Sequence, residues 1–303
     1  MPVNPSVSVV IPTIGRPSLR RAVQSALDQT RPASEVIIVA DTDETLDLPS
    51  DDRIIILKNA FRSGPGRCRQ AGIDAARGSV IALLDDDDEW HKTKVERQLH
   101  AVSAEKNDRW VVSARMRVLG PGSRKRVWPR RLITPGQSVA EYLFRFSDLR
   151  LGGAELQSST LCFPASLARA VRWDSHSDDA HDEASWLIRV QRKFPDLRVI
   201  QLPDVLSSYY VGESSLSRPR SDRTDHYIEW GLKYLAGESP RVLGDYLCTS
   251  PVSAAVSASS LRGVRQSLHA AFRYARPGPF SVAYAVLNGA RIAVNSVRLH
   301  GHR

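Results

Sequence analysis

The stretch SVIALLDDDDEW, residues 79–90, decides the fold class of this chain of 303 residues. Five consecutive apolar residues, Val80 to Leu84, form the run expected of a strand that is covered on both faces. Such strands belong to parallel α/β sheets, which bind ligands in a crevice beyond the carboxyl ends of the strands. Four aspartates, Asp85 to Asp88, follow at that end. The stretch therefore predicts an α/β fold with an acidic binding site.

Strands and helices alternate through the first hundred residues. Strands are indicated at Ser6–Ile11, Glu35–Val39 and Arg53–Leu57, and helices from Leu19 and over Gly66–Arg77. This alternation predicts a Rossmann-like α/β domain, with a mostly parallel central sheet and helices on both of its faces. Each strand is followed by a polar residue, so we expect polar groups to collect along one rim of the sheet.

The α/β domain is expected to cover residues 1–215, because strand and helix patterns continue to that point. The later elements are indicated at Trp110–Val118, Thr160–Phe163, His181–Phe194, Leu197–Leu202 and Val205–Tyr210. Residues 216–303 are expected to form a basic, mainly helical C-terminal extension, since they hold twelve Arg and Lys against five Asp and Glu. Leu261, Val264, Leu268 and Phe272 make an amphipathic stripe within it.

The charge of the extension suggests contact with anionic lipid, nucleic acid or an acidic substrate, and a merely solvated helical face is the alternative. The three cysteines are scattered without metal or disulfide spacing, which favours a reducing cytosol. The N-terminus lacks the pattern of a signal peptide, and no uninterrupted apolar run reaches about 18 residues. We therefore expect a cytoplasmic protein.

Two other nucleotide- or phosphate-binding patterns fit less well. The loop Ser63–Arg69 follows a strand and opens a helix, but the third glycine of a GxGxxG motif would fall on Arg69. The loop still suits phosphate binding through backbone N–H groups and that arginine. An aspartate-nucleophile phosphatase would have Thr or Val where Glu89 stands, and would carry its motif at the first strand rather than the fourth.

Four segments, taken in order, resemble family 2 inverting glycosyltransferases of the GT-A fold. They are SVVIPTIGRPSLRRAVQSALDQT at 8–30, EVIIVADTDET at 35–45, NAFRSGPGRCRQAGIDAARGSVIALLDDDDEW at 59–90 and, more weakly, HDEASWLIRV at 181–190. The resemblance implies transfer of a sugar, with inversion, from a UDP-, dTDP- or GDP-linked donor. It implies a sugar, lipid-linked or small-molecule acceptor and a requirement for Mg²⁺ or Mn²⁺.

The resemblance also assigns the donor site. Nucleotide-sugar binding falls to Pro12, Thr13, Asp41, Arg69, Asp85 and Asp86. Asp85 and Asp87 match the two carboxylates of the family's D-x-D motif, the first expected on the ribose and the second on the metal. A divalent cation between Asp87 and the diphosphate would stabilise the negative charge that develops as the glycosidic bond breaks. This explains why four carboxylates follow a buried strand.

Inverting transfer also needs a base that takes the proton of the acceptor hydroxyl. Alignment from Arg189 favours Glu183 as this catalytic residue, with Asp182 as the alternative. Helix capping is the structural alternative for both, because acidic residues favour the first turn of a helix.

The remaining candidates are expected on the acceptor or metal side of the site. They are Asp88, Trp90 and His181, with core packing as the alternative for the tryptophan. The segment 214–218 is expected to close over the diphosphate, with an ordinary exposed loop as the alternative.

The sequence thus predicts a metal-dependent glycosyltransferase that acts in cell-envelope polysaccharide, glycolipid or natural-product glycosylation. A cation-dependent nucleotidyl- or phosphotransferase, and a catalytically inactive nucleotide-sugar-binding relative, remain as alternatives. The basic C-terminus predicts peripheral contact with the inner face of the cell membrane. No nucleic acid partner is expected.

Overall fold

The computed structural model describes residues 5–59, 63–105, 107–120, 126–150, 153–173, 181–211 and 221–300, without the side chains of 296–300. The chain divides into two compact units. The first is Met1–Val139 with Gly152–Gly212, and the second is Ala140–Leu151 with Glu213–Arg303. A boundary drawn from composition at residue 215 assigns Ala140–Leu151 to the first unit, whereas the contacts of these residues put them in the second.

The first unit is built on a mixed sheet. Its nine strands within the described ranges are β1 (Val7–Thr13), β2 (Glu35–Ala40), β3 (Ile54–Lys58), β4 (Val80–Leu83), β5 (Glu89–Trp90), β6 (Trp110–Leu119), β7 (Arg126–Trp128), β8 (Cys162–Pro164) and β9 (Arg198–Tyr210). Their order is β3-β2-β1-β4-β8-β6-β9-β5, and β7 pairs with β6. The first four are parallel, and β8 is antiparallel to both β4 and β6.

Helices cover both faces of this sheet, as predicted. They are α1 (Leu19–Leu27), α2 (Pro65–Ala75), α3 (Lys94–Ala101), α5 (Ala165–Ala170) and α6 (Asp182–Lys193). Helix α4 (Val139–Phe144) begins at the unit boundary, and its residues from Ala140 on belong to the second unit. On β1, Val9 and Ile11 belong to the core under α1, whereas Val10 faces α2, where a Cβ on Gly72 would overlap it. The alternation of the strand therefore supplies one residue in two to each helical layer.

The long strand β9 corrects one expectation. The sequence pattern predicts two strands, at Leu197–Leu202 and Val205–Tyr210, separated by Pro203 and Asp204. The structure instead has one strand, and its register against β6 shifts between Ala114 and Arg115, where the partners change from Leu202 to Val205. The bulge accommodates the proline without ending the strand, because a bulged residue needs no ladder hydrogen bond.

The second unit is helical within its described residues. Its later helices are α7 (Thr224–Tyr234), α8 (Pro240–Leu247), α9 (Ser250–Ser257), α10 (Leu261–Tyr274) and α11 (Pro279–His300). The rings of Phe144, Trp230 and Tyr246 pack with centroids 5.0 to 5.5 Å apart. Asp245 is fully buried and accepts hydrogen bonds from Ser281 Oγ at 2.7 Å and Gly278 N at 2.8 Å. An aromatic cluster and a satisfied buried carboxylate thus form its interior.

An amphipathic stripe ordinarily faces the core, but most of the stripe on α10 faces outward. Val264 is buried, but Phe272 is 63% exposed and Leu261 is also exposed. The buried side of the helix is instead made of small residues, and a Cβ on Gly263 would overlap Thr224 and Ala255. The helix packs too closely against its neighbours for large side chains to fit between them. Across the described part of the chain, no helix is both long and apolar enough to cross a membrane.

Candidate active site

Three parallel strands deliver polar side chains to one rim of the sheet. Thr13 ends β1, Asp41 follows β2, and Asp85 begins the turn after β4. The N–H of Asp41 donates to the carbonyl of Thr13 at 2.8 Å, and the N–H of Leu84 donates to that of Val10 at 3.1 Å. The strand ends are therefore held side by side, as the crevice model for parallel sheets requires.

Three side chains from outside the acidic turn donate hydrogen bonds to its first carboxylate. Oδ2 of Asp85 accepts hydrogen bonds from Ser158 Oγ at 2.6 Å and from Gln157 Nε2 at 3.0 Å. Oδ1 accepts one from Arg69 Nη2 at 2.7 Å. Asp85 is thus held by the protein on both oxygens, although its side chain keeps 22% of its surface exposed.

Two further carboxylates of the turn are buried and satisfied. Asp86 accepts from Thr13 Oγ1 at 2.7 Å and from Arg16 Nη1 at 2.6 Å. Asp88 accepts from Ser159 Oγ at 2.6 Å and from Gln157 Nε2 at 2.8 Å. Burial raises the pKa of Asp88 well above its usual value, and the neighbouring negative charge of Asp85 raises it further. Asp86 thus attaches the turn to Thr13 and Arg16, and Asp88 attaches it to Gln157 and Ser159.

Asp87 differs from the other three aspartates. Its side chain is 35% exposed, and the only ion pair found for it among the described residues is with Arg16 Nη1, at 3.1 Å. Partial burial raises its pKa, and so does the charge of Asp85, while Arg16 acts in the opposite direction. Asp87 therefore has a carboxylate with free coordination capacity in a region of concentrated negative charge.

Oxygen ligands of this kind fit Mg²⁺ or Mn²⁺. The described residues contain no group of three or more His, Cys, Asp or Glu that could hold a metal ion by themselves. Mg²⁺ is commonly bound through one or two carboxylates, with the other positions filled by water and substrate phosphates. Asp87 fits such a site, because it offers a carboxylate that the protein leaves accessible.

Arg69 links the acidic turn to helix α6. It is buried, and its guanidinium donates to Asp85 Oδ1 at 2.7 Å and to Asp182 Oδ2 at 2.6 Å. Burial alone would lower its pKa, but the carboxylates of Asp85, Glu183 and Asp182 outweigh that effect and raise it. The sequence-predicted donor and base residues are therefore brought into one charged cluster.

The two candidates for the base have different environments. Asp182 is tied to Arg69 by the short ion pair, whereas Glu183 Oε1 lies 3.8 Å from Arg69 Nη2, beyond hydrogen-bond range. Burial raises the pKa of Glu183; Arg69 opposes the shift and Asp182 adds to it. A carboxylate with a raised pKa is a better proton acceptor at neutral pH, so this environment favours Glu183. His181 precedes the helix, and its carbonyl accepts the N–H of Ser185 at 2.9 Å.

Asp41 and Pro12 lie at the rim within the protein framework. The carboxylate of Asp41 accepts hydrogen bonds from the N–H groups of Ser63 and Gly64, each at 2.9 Å, and from Ser63 Oγ at 2.9 Å. It therefore fixes the residues that precede α2. Pro12 is buried in β1 opposite Val39 of β2.

Trp90 packs in the core, the structural alternative that the sequence allowed for it. It is 4% exposed, and its indole N–H donates to the carbonyl of Ser159 at 2.8 Å. The fully buried Lys94 places Nζ 4.0 Å from the Trp90 ring centroid and donates to Gln98 Oε1 at 2.8 Å. Gln98 in turn donates to the carbonyl of Thr160 at 2.7 Å. Trp90 therefore holds Ser159, a residue that binds the acidic turn, and its buried ring offers no surface to an acceptor.

Several residues of the site were missed by sequence reasoning. Arg16 contacts both Asp86 and Asp87, and Gln157, Ser158 and Ser159 bind the acidic turn. The run Gln157–Thr160 is a polar segment directly before a buried strand, which is a usable signal. Its meaning depends on β8 running antiparallel to β4, because only then does the start of β8 meet the carboxyl end of β4.

Glu155 is a further acidic residue of this region that the sequence did not single out. Burial raises its pKa to about 7, and the nearby charge of Glu183 contributes. The segment 214–218, expected to close over the diphosphate, lies outside the described residues.

Comparison with known proteins gives consistent matches. The family model "Glycosyl transferase family 2" matches residues 8–162. The chain is 25% identical over 239 residues to the amylovoran biosynthesis glycosyltransferase AmsB of Erwinia amylovora, covering 74% of this chain and 76% of AmsB. It is 38% identical over 106 residues to the Escherichia coli UDP-Glc:alpha-D-GlcNAc-diphosphoundecaprenol beta-1,3-glucosyltransferase WfaP, and 39% over 104 residues to the putative teichuronic acid biosynthesis glycosyltransferase TuaG of Bacillus subtilis. These last two matches span only 42% and 41% of the relatives' lengths.

Solved structures show the same fold. S. aureus TarS 1-349 in complex with UDP-GlcNAc superposes with a TM-score of 0.57 at 15% identity, covering 94% of this chain and 91% of TarS. The complex of the same protein with UDP gives a TM-score of 0.52. At this identity the likeness concerns the fold alone, and it confirms the predicted GT-A architecture.

Proposed function

Because the chain belongs to glycosyl transferase family 2, whose model covers just over half of its 303 residues, and is a glycosyltransferase, we propose that it inverts the anomeric centre of a nucleotide-linked sugar as it transfers that sugar to an acceptor hydroxyl. The observation that carries this proposal is the contrast within the acidic turn. The protein satisfies Asp85, Asp86 and Asp88 but leaves Asp87 partly exposed and paired with one arginine.

Asp87 is the residue proposed to hold Mg²⁺ or Mn²⁺ together with the phosphates of the donor. When bound there, the cation would supply positive charge that stabilises the leaving nucleoside diphosphate. Arg16, which already contacts Asp86 and Asp87, adds a fixed positive charge beside them. The hydrogen bonds around Asp86 hold this arginine in place, so little reorganisation is needed when charge develops.

The donor nucleoside is proposed to lie along the rim formed by β1, β2 and β4. Pro12 and Thr13 are assigned to the base, Asp41 to the base or ribose, and Asp85 to the ribose, with Arg69 and Asp86 nearby. Asp85 retains an exposed edge, so a ribose hydroxyl has access to it. Asp41 holds the residues before α2 and so shapes the same rim.

Glu183 is proposed as the base. It accepts the proton of the acceptor hydroxyl as the oxygen forms its bond to the anomeric carbon and the bond to the diphosphate breaks. Asp182 is proposed as a positioning residue, because its ion pair with Arg69 fixes the start of α6 relative to Asp85. Asp88 and His181 are proposed to lie on the acceptor or metal side of the site.

The names of the relatives support a role in polysaccharide assembly. AmsB is named for amylovoran biosynthesis, TuaG for teichuronic acid biosynthesis, and WfaP for glucosyl transfer to a diphosphoundecaprenol-linked GlcNAc. We therefore assign this chain a UDP-linked donor and a lipid-linked acceptor. A lipid-linked acceptor requires the enzyme to work at a membrane surface, so peripheral membrane contact is part of the proposal.

A thermal-shift experiment tests the donor site. UDP, dTDP, GDP and CDP are each added with and without Mn²⁺, and a ligand that binds only the folded state raises the unfolding midpoint by mass action. We expect a Mn²⁺-dependent shift with UDP that is lost in Asp87→Asn. The matched control is Asp47→Asn, which changes an exposed carboxylate paired with Arg20 and should leave the shift unchanged.

Product analysis separates this function from its alternatives. Incubation with UDP-sugar and a lipid-linked acceptor should release UDP and glycosylated lipid. Release of pyrophosphate would instead identify a nucleotidyltransferase. Nucleotide binding without turnover on any acceptor would identify a binding protein.

A further inference from the structure

Helices α10 and α11 expose many large apolar side chains. Eleven such residues are exposed in the described part of the chain, and seven of them lie between residues 261 and 294. The seven are Leu261, Phe272, Tyr274, Phe280, Val286, Leu287 and Val294. Single exposed apolar residues are ordinary, but a concentration on neighbouring helices indicates an interaction surface.

On α10 the apolar residues share one side of the helix. Leu261, Leu268 and Phe272 follow one another at intervals of seven and four positions, which places them on the same face. A shallow depression on this face is lined by Arg265, Leu268, His269, Phe272 and Arg273. Apolar and cationic side chains therefore alternate on a surface that the other described residues leave open.

α11 has the same arrangement. Phe280, Leu287 and Val294 recur every seven residues and are exposed, with Leu287 at 61%. Ala285 and Ile292, on the other side of the helix, are buried. The helix thus packs through one side and presents a second apolar side to its surroundings.

The two helices are neighbours, and their charges have one sign. α11 contacts α10, where a Cβ on Gly289 would come within 3.3 Å of Val264. Residues 246–303 contain seven arginines and no Asp or Glu. The five arginines whose side chains are described are all exposed: Arg262, Arg265, Arg273, Arg276 and Arg291.

We propose that the exposed faces of α10 and α11 form a membrane-binding surface that inserts its apolar side chains among the headgroups of an anionic bilayer. Amphipathic helices that combine exposed aromatic and aliphatic residues with arginines bind such interfaces, and each arginine near the surface adds electrostatic attraction. This inference deepens the proposed function and rests on its placement of the acceptor in a membrane. Within their described residues neither helix is long and apolar enough to cross a bilayer, and the proposal places both on its surface.

The charge distribution distinguishes a membrane from a second copy of the chain. A two-fold interface built from these faces would bring the same surface of each copy together. Arginines would then face arginines without any acidic partner from this segment, and like charges oppose association. An anionic bilayer meets the same arginines with opposite charge.

Vesicle flotation with the full chain tests the proposal. The protein is mixed with vesicles of phosphatidylcholine alone or with added phosphatidylglycerol, without nucleotide or acceptor. We expect flotation with the anionic vesicles only. The double substitution Phe272→Ser/Leu287→Ser should lower the partition coefficient about tenfold or more, because two exposed apolar side chains no longer insert. Arg265→Gln should lower it about fivefold.

Matched controls lie in the first unit. Ile56→Ser removes an apolar side chain on β3 of similar exposure, 51%, and should leave flotation unchanged. Three results would overturn the proposal. They are absence of flotation of the unmodified chain at low salt, flotation that the double substitution leaves intact, and a concentration-dependent dimer that the double substitution dissolves in the absence of vesicle binding.

The outcome is separable from that of the proposed sugar transfer. Flotation is measured without donor or acceptor, and transfer to a detergent-dispersed acceptor is measured without vesicles. The double substitution should keep transfer in detergent and lose transfer on vesicles. If the unmodified chain floats but transfers no sugar, the membrane surface stands and the proposed reaction fails.

Discussion

The acidic turn and helix α10 depart in opposite directions from the solvent exposure that their residue types predict. A run of four aspartates is ordinarily a solvated surface, yet Asp86 and Asp88 are buried and satisfied by protein donors. An amphipathic stripe ordinarily faces a core, yet Leu261 and Phe272 face outward. In the first region the protein has provided partners for charge, and in the second it has left apolar surface uncovered.

The difference teaches that departures from the usual pattern single out the two regions for which binding is proposed. Burying carboxylates costs stability unless donors satisfy them, and exposing large apolar residues forgoes the gain from burying them. The acidic turn therefore needs the donors that surround it, and the exposed face of α10 carries an energetic cost; packing alone explains neither arrangement. Each of the following predictions changes either a charged group that the protein has drawn into its interior or its site, or an apolar group that it has left exposed.

The largest effect is expected at Glu183, the carboxylate that the cluster leaves without a hydrogen bond from Arg69. Glu183→Gln should reduce turnover roughly 10³-fold, within the range for loss of a general base, while Mn²⁺-dependent nucleotide binding is retained. Because the pKa of Glu183 is raised, the unmodified enzyme should lose activity as pH falls through that pKa, and the variant should lack this acid limb.

The control for Glu183 is Asp225→Asn, which removes an exposed acidic residue from the first turn of α7. It should leave both activity and its pH profile unchanged. Equal losses of activity in the two variants would identify Glu183 as a helix-capping residue. Steady-state kinetics across pH provide the measurement.

Removing the buried guanidinium of Arg69 should lower the free energy of unfolding. Arg69→Met leaves Asp85 and Asp182 without their shared partner, and breaking a buried ion pair typically costs about 3–5 kcal/mol in free energy of unfolding. Urea unfolding measures the change. Arg172→Met, which breaks the exposed pair with Asp74, should cost less than about 1 kcal/mol; similar costs for both would show that the Arg69 cluster contributes no more than a surface pair.

Lys94 is another buried ionisable side chain, and its effect on the free energy of unfolding should depend on pH. Burial lowers its pKa to about 8, so the charged form is disfavoured in the folded state. The penalty is complete below that pKa and disappears as pH rises to the unfolded value near 10.4, so stability attributable to this group should increase by roughly 3 kcal/mol across that window.

Lys94→Met should abolish this pH dependence. Urea unfolding of both proteins at several pH values between about 7 and 10 measures the difference between their unfolding free energies. Lys92→Met, at an exposed position, serves as the control. If the difference between Lys94→Met and the unmodified protein stays constant with pH, Lys94 does not titrate as its burial predicts.

The smallest effect is expected on the outward face of α10. Phe272→Ser should change the free energy of unfolding by no more than about 0.5 kcal/mol, as for most surface substitutions. Ala271→Asp, on the buried side of the same helix, should destabilise by more than about 2 kcal/mol, because it buries an unpaired charge. Thermal and urea unfolding of the pair measure the contrast. A large loss in Phe272→Ser would mean that this face packs against the protein.

Much of the first unit followed from the sequence. The strands that became β1 to β4 have continuous or alternating apolar runs, and the helices between them have helical spacing, so period and order predicted the parallel half of the sheet. The same reasoning placed polar residues at its rim. The alignment of HDEASWLIRV then identified Asp182 and Glu183, which the structure brings to Arg69.

The remainder depended on tertiary information. β5 and β7 contain two and three residues, too few for a period to be read, whereas β8 overlaps the strand indicated at Thr160–Phe163. The role of Gln157 to Ser159 depends on strand direction, and the continuity of β9 depends on a bulge. The outward face of α10 was missed because amphipathicity reveals that a helix has two faces but not which one a neighbour will cover.

Arg69 has one further consequence, which concerns modularity. Its partners Asp85 and Asp182 lie 16 and 113 positions further along the chain, so one guanidinium joins an early and a late part of the polypeptide. The segment that matches the family model ends at residue 162, before Asp182. A fragment cut at that point would carry the donor rim without the late anchor, so we expect it to be neither an autonomous folding unit nor a transferable nucleotide-binding cassette.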